Sequence, residues 1–313
     1  MLRNLLLLLF IPICISLGAQ KYNFKHFLPE KDGLSQSEIT DVIQDNDGHI
    51  WLATQGGGVC RYNGSKFINY RKVDGLKDNE VNGITQAANG DIWIATKRGL
   101  NIIRNGKFIP LNVELYNYNL VDANINYIQN IDSTHLLFVS ANKYFLWNGY
   151  SLELISFSSD INNLLRVGTE IYITTEDEGF FKIYNYNDTS RLNYDNSSHK
   201  INCIAEYKDG AILLGTKKGI KIYRNGEINK YNSILDTSII DKSINNLYYK
   251  DSILYVGIND IGIYMISRDE FILFNNKNSI NTITFFDNIF VDREDVLWLS
   301  IHGHGLYSYK KSA

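Results

Sequence analysis

The chain has little of several things that would assign a function quickly. It holds three cysteines in 313 residues, and Cys14 lies in an apolar leader, so Cys60 and Cys203 remain as small hydrophobes of a core. Stability must come from apolar burial, which a chain of this length can supply. Neither sign of charge is in excess: 31 lysines and arginines face 34 acidic residues, a net charge of -3. Without a basic stripe or a run of like charges, nucleic acid is disfavoured as a partner. Beyond the first twenty residues no apolar run approaches membrane length. His-x-x-x-His helices, paired cysteines, a glycine-rich phosphate loop and a nucleophile elbow are all missing, so no cofactor is expected.

The leader itself is well formed. Arg3 supplies the positive end, Leu5 to Ile15 the apolar core, and Ser16-Leu17-Gly18-Ala19 the small residues before Gln20. Residues 1–19 therefore read as a signal peptide and 20–313 as one domain. That domain is expected to be periplasmic or secreted from a Gram-negative envelope, without stable membrane insertion after cleavage. Ile13 stands where a lipidated Cys14 would need a small residue.

What is present is repetition. SEITDVIQDNDGHIWLATQGGGVCRYNGSKFINYRKVDGL, from Ser37, is followed by NEVNGITQAANGDIWIATKRGLNIIRNGKFIPLN from Asn79. A marker position recurs at Trp51, Trp93, Phe138, Tyr172, Leu213, Tyr255 and Trp298, at spacings of 42, 45, 34, 41, 42 and 43 residues. A period near forty built of short strands predicts an all-β, seven-bladed β-propeller with one four-stranded antiparallel sheet per repeat. The residue two beyond each marker is modest in size (Ala53, Ala95, Ser140, Thr174, Gly215, Gly257 and Ser300), as crowded inner strands require.

Turn chemistry places the strands. Asp45-Asn46-Asp47-Gly48 closes the first strand of repeat 1; it resembles the start of a calcium loop but lacks the downstream glutamate, and it reads as a turn. Asn63-Gly64, Asn105-Gly106, Asn148-Gly149 and Asn225-Gly226 share a later slot, where two-residue type I′ hairpins are expected. Repeat 7 ends its third strand at Tyr309 and lacks a fourth. Tyr22 to Phe27, followed by Lys31-Asp32-Gly33-Leu34, mirrors Phe67 to Tyr70 followed by Asp74-Gly75-Leu76. The N-terminal strand should therefore close the ring as the outer strand of the last blade.

The phrases DNDGHIWLATQGGGVCRYNG, ANGDIWIATKRGLNIIRNG and DREDVLWLSIHGHGLYSY closely resemble the two-component regulator propeller repeat. The resemblance implies a relative of the periplasmic sensor portion of hybrid histidine kinases, which recognises extracellular nutrients, often glycans. This sequence carries one propeller where such sensors usually carry two. It shows no immunoglobulin-like segment, transmembrane helix, kinase or receiver domain. Binding is the function that survives, with a membrane sensor kinase or another envelope protein as the expected partner for signalling.

Candidate contacts lie in the turns between second and third strands, which open on the face carrying the blade-to-blade connections. Gln55, Lys97, Arg98, Glu176, Lys217, Asn259, His302 and His304 occupy that slot. Lys97, Arg98, Lys217 and Lys218 favour an acidic sugar or other anion, while Glu176, Asp177 and Asp260 limit that preference. No catalytic residue and no metal ligand is assigned. Two other readings stay open. One is a metal-dependent enzyme resembling the streptogramin lyases, for which His302, His304 and Glu176 have suitable side chains; the other is a protein–protein scaffold of the envelope.

Overall fold

The computed structural model describes residues 22–111, 122–177, 179–184, 188–192, 200–231, 239, 241–268, 270–277, 280 and 285–311. The leader lies outside them. Seven four-stranded antiparallel sheets form seven blades of a propeller, as the period requires. The first strands of the blades are Ile39–Gln44, Val81–Gln86, Tyr127–Asn130, Ile161–Val167, Ile201–Glu206, Asn246–Lys250 and Phe286–Val291. The first strand of blade 1 lies against those of both blade 2 and blade 7, so the ring is closed around these inner strands.

The core is divided as the sequence is divided. Seven apolar clusters occur, and each sits between two neighbouring blades rather than inside one. Second strands such as Ile50–Thr54 and Ile92–Thr96 are buried along their whole length because both faces meet another blade. Trp51, Trp93, Tyr172, Leu213, Tyr255 and Trp298 all face the following blade.

Phe138 does not. It packs back against Trp93 of blade 2, while Leu137 and Val139 face blade 4. The marker of blade 3 is therefore Leu137, and the small position after it is Val139. Strand side chains alternate with a period of two, so a one-residue error exchanges the two faces. The aromatic ring of Phe138 was the misleading signal. The crowding expected at the small position holds elsewhere: a Cβ on Gly215 would stand 2.4 Å from Cys203 Sγ and 2.9 Å from Ile244 Cγ2.

The ring closes as expected. Lys25, His26 and Phe27 pair with Ser308, Tyr307 and Leu306, which makes Lys25–Phe27 the outer strand of the blade holding Trp298. Phe27 is 2% exposed and packs on Tyr62, Phe67 and Trp298, bridging blades 7 and 1. The mirrored segments match in detail. Asp32 accepts from Leu28 N at 2.8 Å, and Asp74 from Arg71 N at 2.8 Å. Each is followed by a left-handed glycine, Gly33 or Gly75, and a buried leucine, Leu34 or Leu76.

The Asn-Gly slot splits into two turn types. Arg104 pairs with Lys107 and Arg224 with Glu227, and both central residues have positive φ, which gives the two-residue hairpin. At Asn63-Gly64 and Asn148-Gly149 the flanking pairs are Tyr62 with Phe67 and Trp147 with Leu152, so those loops hold four residues. There the asparagine caps the loop instead: Asn63 Oδ1 accepts from Ser65 N and Lys66 N, and Asn148 Oδ1 from Tyr150 N and Ser151 N. Side-chain capping of this kind is the other use of asparagine in turns.

Candidate functional site at the channel mouth

Every inner strand begins with the same short phrase, an apolar residue followed by Thr40, Asn82, Asn126, Asn162, Asn202, Asn245 or Asp287. In blades 1, 2, 4, 5 and 7 this polar residue falls at a register shift between the first and second strands. A bulge re-aims a side chain out of the ladder, and in these five blades it sets one polar group at one end of the channel. Three of these groups stitch their blade to the next. Thr40 Oγ1 donates to Val81 O at 2.6 Å, Asn82 Nδ2 to Ile125 O at 2.8 Å, and Asn202 Nδ2 to Ile244 O at 3.0 Å.

The turns between second and third strands lean over the same mouth. Gln55 N donates to Glu38 O, Lys97 N to Glu80 O, Glu176 N to Asp160 O and His302 N to Phe285 O, at 2.9, 3.0, 2.9 and 2.9 Å. Each bond ties the turn to the residue just before its own inner strand. The end of the second strand supports the turn from below, where Thr54, Thr96 and Thr216 donate their hydroxyls to the carbonyls of Gly58, Gly99 and Gly219. Gly58 has φ of 81°, and a Cβ there would lie 2.2 Å from Tyr70 O. Glycine at this point lets the outer strand pass close by.

A cavity of about 710 Å³ opens at this mouth. Its wall comes from five blades and includes Gln55, Asn259 and His302 of the expected contacts. Glu176 lines an adjoining cavity of about 400 Å³ together with Asp160 and Asn162. Lys97, Arg98, Lys217 and His304 line neither. Lys97 is held 2.6 Å from Glu80, whose hydrogen bond raises the lysine pKa. Glu176 is 2.9 Å from Lys200. The peptide oxygen of His304 meets His26 Nε2 at 2.7 Å.

Sequence reasoning missed Glu38, Phe285 and Asp287. The repeated phrase at the head of each inner strand was the signal for Asp287, and Glu38 and Phe285 stand just before it. His302 lies between two carboxylates, with Nδ1 3.2 Å from Asp287 Oδ1 and Nε2 3.7 Å from Glu38 Oε1. Burial raises the Asp287 pKa; His302 pulls against that shift and Glu38 adds to it. Beneath the mouth, Asp41 accepts from Val42 N and from Ile84 N of the next blade, and desolvation raises its pKa to about 6. Cys203, half-buried on the cavity wall, is pushed up to about 12 by burial, and Cys60 to about 11, so both are poor nucleophiles.

Among the described residues, three metal-ligand side chains come together at Asp45, Asp47 and His49, at the opposite end of the blades. Asp45 is already engaged there by His49 N and Trp51 Nε1.

The fold is a closed propeller with a polar cavity at the channel mouth. Residues 33–56 and 75–98 match the model of the two component regulator propeller family, so the chain carries the repeat its sequence resembles. A 66-residue stretch is 44% identical to histidine kinase P4 of Formosa agariphila, covering 20% of this chain and 5% of that protein. The extracellular domain of the hybrid two component system BT3049 from B. thetaiotaomicron superposes with a TM-score of 0.73 at 19% identity, over 93% of this chain and 42% of that one. Virginiamycin B lyase from Staphylococcus aureus gives 0.69 at 13% identity, over 92% and 99%. At these identities the two structures share the fold with this chain. No helix among the described residues is long and apolar enough to cross a membrane.

Proposed function

We propose that this chain is an exported, non-catalytic recognition propeller that binds a small glycan-like ligand at the channel mouth and passes occupancy to an envelope partner such as a membrane sensor kinase. The cavity carries the reading. Its volume lies within the range of small-ligand sites, and its wall combines asparagine amides, a carboxylate–histidine group and Phe285, which is 53% exposed beside them. Amides and carboxylates suit hydroxyl groups, and an exposed aromatic ring offers a flat apolar face to a sugar. Signal cleavage at Ala19-Gln20 and a periplasmic or secreted location belong to the same reading.

The pairings of Glu176 with Lys200 and of His302 with Asp287 and Glu38 support binding over a lyase that would need His302, His304 and Glu176 around one metal. A thermal-shift screen against oligosaccharides tests the proposal. A ligand at a hundred times its dissociation constant adds about 2.7 kcal/mol, a rise of several degrees for a domain of this size. Asn259→Ala should remove the shift, whereas Lys217→Ala, off the cavity, should keep it. A screen without hits, or a shift that survives Asn259→Ala, would move function to the outer rim and a protein partner.

A further inference from the structure

We infer that the channel mouth recognises a protonated amine, so that its ligand is a small aminated saccharide rather than a neutral or acidic one. The inference deepens the reading of the mouth as a glycan-binding site and rests on it.

Charge is the first observation. The carboxylate and imidazole side chains lining the larger cavity are Glu38, Asp287 and His302, and the adjoining cavity adds the carboxylates of Asp160 and Glu176. No lysine or arginine lines either one among the described residues. At the rim Lys97 is paired with Glu80 and Lys200 with Glu176. An acidic ligand would meet carboxylates and find no lysine or arginine on the described cavity wall to pair with.

Hydrogen-bonding polarity is the second, and it is independent of charge. Three of the amides around the mouth spend N–H groups on the protein. Asn202 Nδ2 donates to Ile244 O and Ser243 Oγ, Asn246 Nδ2 to Asp287 O, and Asn163 Nδ2 to Thr174 Oγ1. Asn202, with both N–H groups engaged, has its oxygen left to offer. Three oxygens on the cavity wall (Asn246 Oδ1, Asn259 Oδ1 and Asp287 Oδ2) are buried and accept no hydrogen bond. A buried acceptor without a donor costs roughly 1–3 kcal/mol. The terminal torsion of Asn and Asp is soft, so each can turn its oxygen toward a donor arriving in the cavity. A primary ammonium brings three donors and a positive charge, which answers both observations at once.

A bare metal ion fits less well. His302 directs a different ring nitrogen at each carboxylate, Nδ1 at Asp287 and Nε2 at Glu38. Glu38, Asp287 and His302 do not form a group with ligand atoms gathered at one point. The exposed ring of Phe285, whose backbone oxygen accepts from His302 N, leaves an apolar face beside the charged end. That pairing of apolar face and acidic end matches a sugar carrying an amino group.

The test is calorimetric titration of the purified protein at pH 6.5 with four disaccharides: fully deacetylated chitobiose, N,N′-diacetylchitobiose, cellobiose and digalacturonate. The deacetylated compound should bind at least tenfold tighter than the other three, and added salt should narrow the gap. Glu38→Gln and Asp287→Asn should each bring the deacetylated and acetylated compounds within threefold of one another. Glu38 sits at the rim, so Glu38→Gln should keep the wild-type melting midpoint even if Asp287→Asn perturbs the inner strand. Equal or tighter binding of cellobiose, the acetylated compound or digalacturonate would overturn the inference while leaving the glycan reading standing. So would an amine preference unchanged in Glu38→Gln. If none of the four binds, the inference falls, and the wider oligosaccharide screen decides the glycan reading separately.

Discussion

The indole nitrogen of Trp51 donates to Asp45 Oδ2 at 2.7 Å, and Trp298 donates to Asp292 Oδ2 at the same distance. In both blades the aspartate sits six residues earlier, in the turn between first and second strands. Its other carboxylate oxygen holds the turn, through His49 N in blade 1 and through Glu294 N and Val296 N in blade 7. The aspartate therefore fixes the turn and satisfies the only polar atom of an otherwise apolar side chain wedged between blades.

Asp45→Ala would leave the buried Trp51 Nε1 and the half-buried His49 N without acceptors, at roughly 1–3 kcal/mol for the buried one. The melting midpoint should fall by several degrees. Asp47→Ala, on the exposed part of the same turn, should stay within about 0.5 kcal/mol of the parent. Differential scanning calorimetry of the pair distinguishes a structural carboxylate from a solvated one.

Ring closure predicts a large response at a residue remote from the channel. Phe27→Ala should cost about 3–5 kcal/mol, the usual range for a fully buried phenylalanine, because it opens the junction of blades 7 and 1. Deleting residues 20–30 should do more, since it bares the third strand of blade 7 as an edge. Chemical denaturation gives the first value. Light scattering should show the truncated protein aggregating.

Gly58 and Gly305 should tolerate no side chain. A Cβ would meet Tyr70 O at 2.2 Å or Phe27 O at 2.6 Å, and both residues have positive φ. Gly64 also has positive φ but open space around it. Gly64→Ala should therefore cost about 1–2 kcal/mol for backbone conformation alone, and Gly58→Ala or Gly305→Ala substantially more. Equal losses in all three would refute the close-approach argument.

Much of this architecture was legible because a repeat reports each structural choice several times. The blade count, the closing strand and the face bearing the turns all follow from period and turn residues. The errors have local causes. Phe138 took the marker position because aromatic character outweighed the alternation that selects Leu137. Two of the four Asn-Gly turns differ because Asn63 and Asn148 cap with their side chains, which the dipeptide alone does not reveal. At the site, Lys97 and Lys217 looked available as contacts, but neither lines the cavities, and a turn's reach is set by the tertiary structure. The polar residue heading each inner strand was visible throughout, but a single polar residue in a strand carries no sign that a bulge will aim it at the channel.

Asp41 predicts a pH dependence of stability. Its folded pKa of about 6 lies above the ordinary 3.8, so between those values the native state holds more protons than the unfolded chain. Stability should therefore fall as pH rises from about 4 to 6 and level off above. Asp41→Asn should flatten that slope. Its absolute midpoint should drop as well, since an amide can accept only one of the two backbone bonds from Val42 and Ile84. A melting profile from pH 4 to 8 that keeps its slope in Asp41→Asn would assign the effect to other groups, with Asp287 next in line.

The clasp between the first strand and blade 7 also sets an order of events. His26 meets the peptide oxygen of His304 across 278 residues of chain, so Lys25–Phe27 waits for its partner until blade 7 has been made. Contacts of such separation form late, because the intervening loop must close before they return any stabilisation. Six blades can assemble from neighbouring sequence while the ring stays open. A chain emerging from a ribosome thus remains unlatched until its seventh blade is free, and the final latch converts a row of stacked sheets into a closed circle.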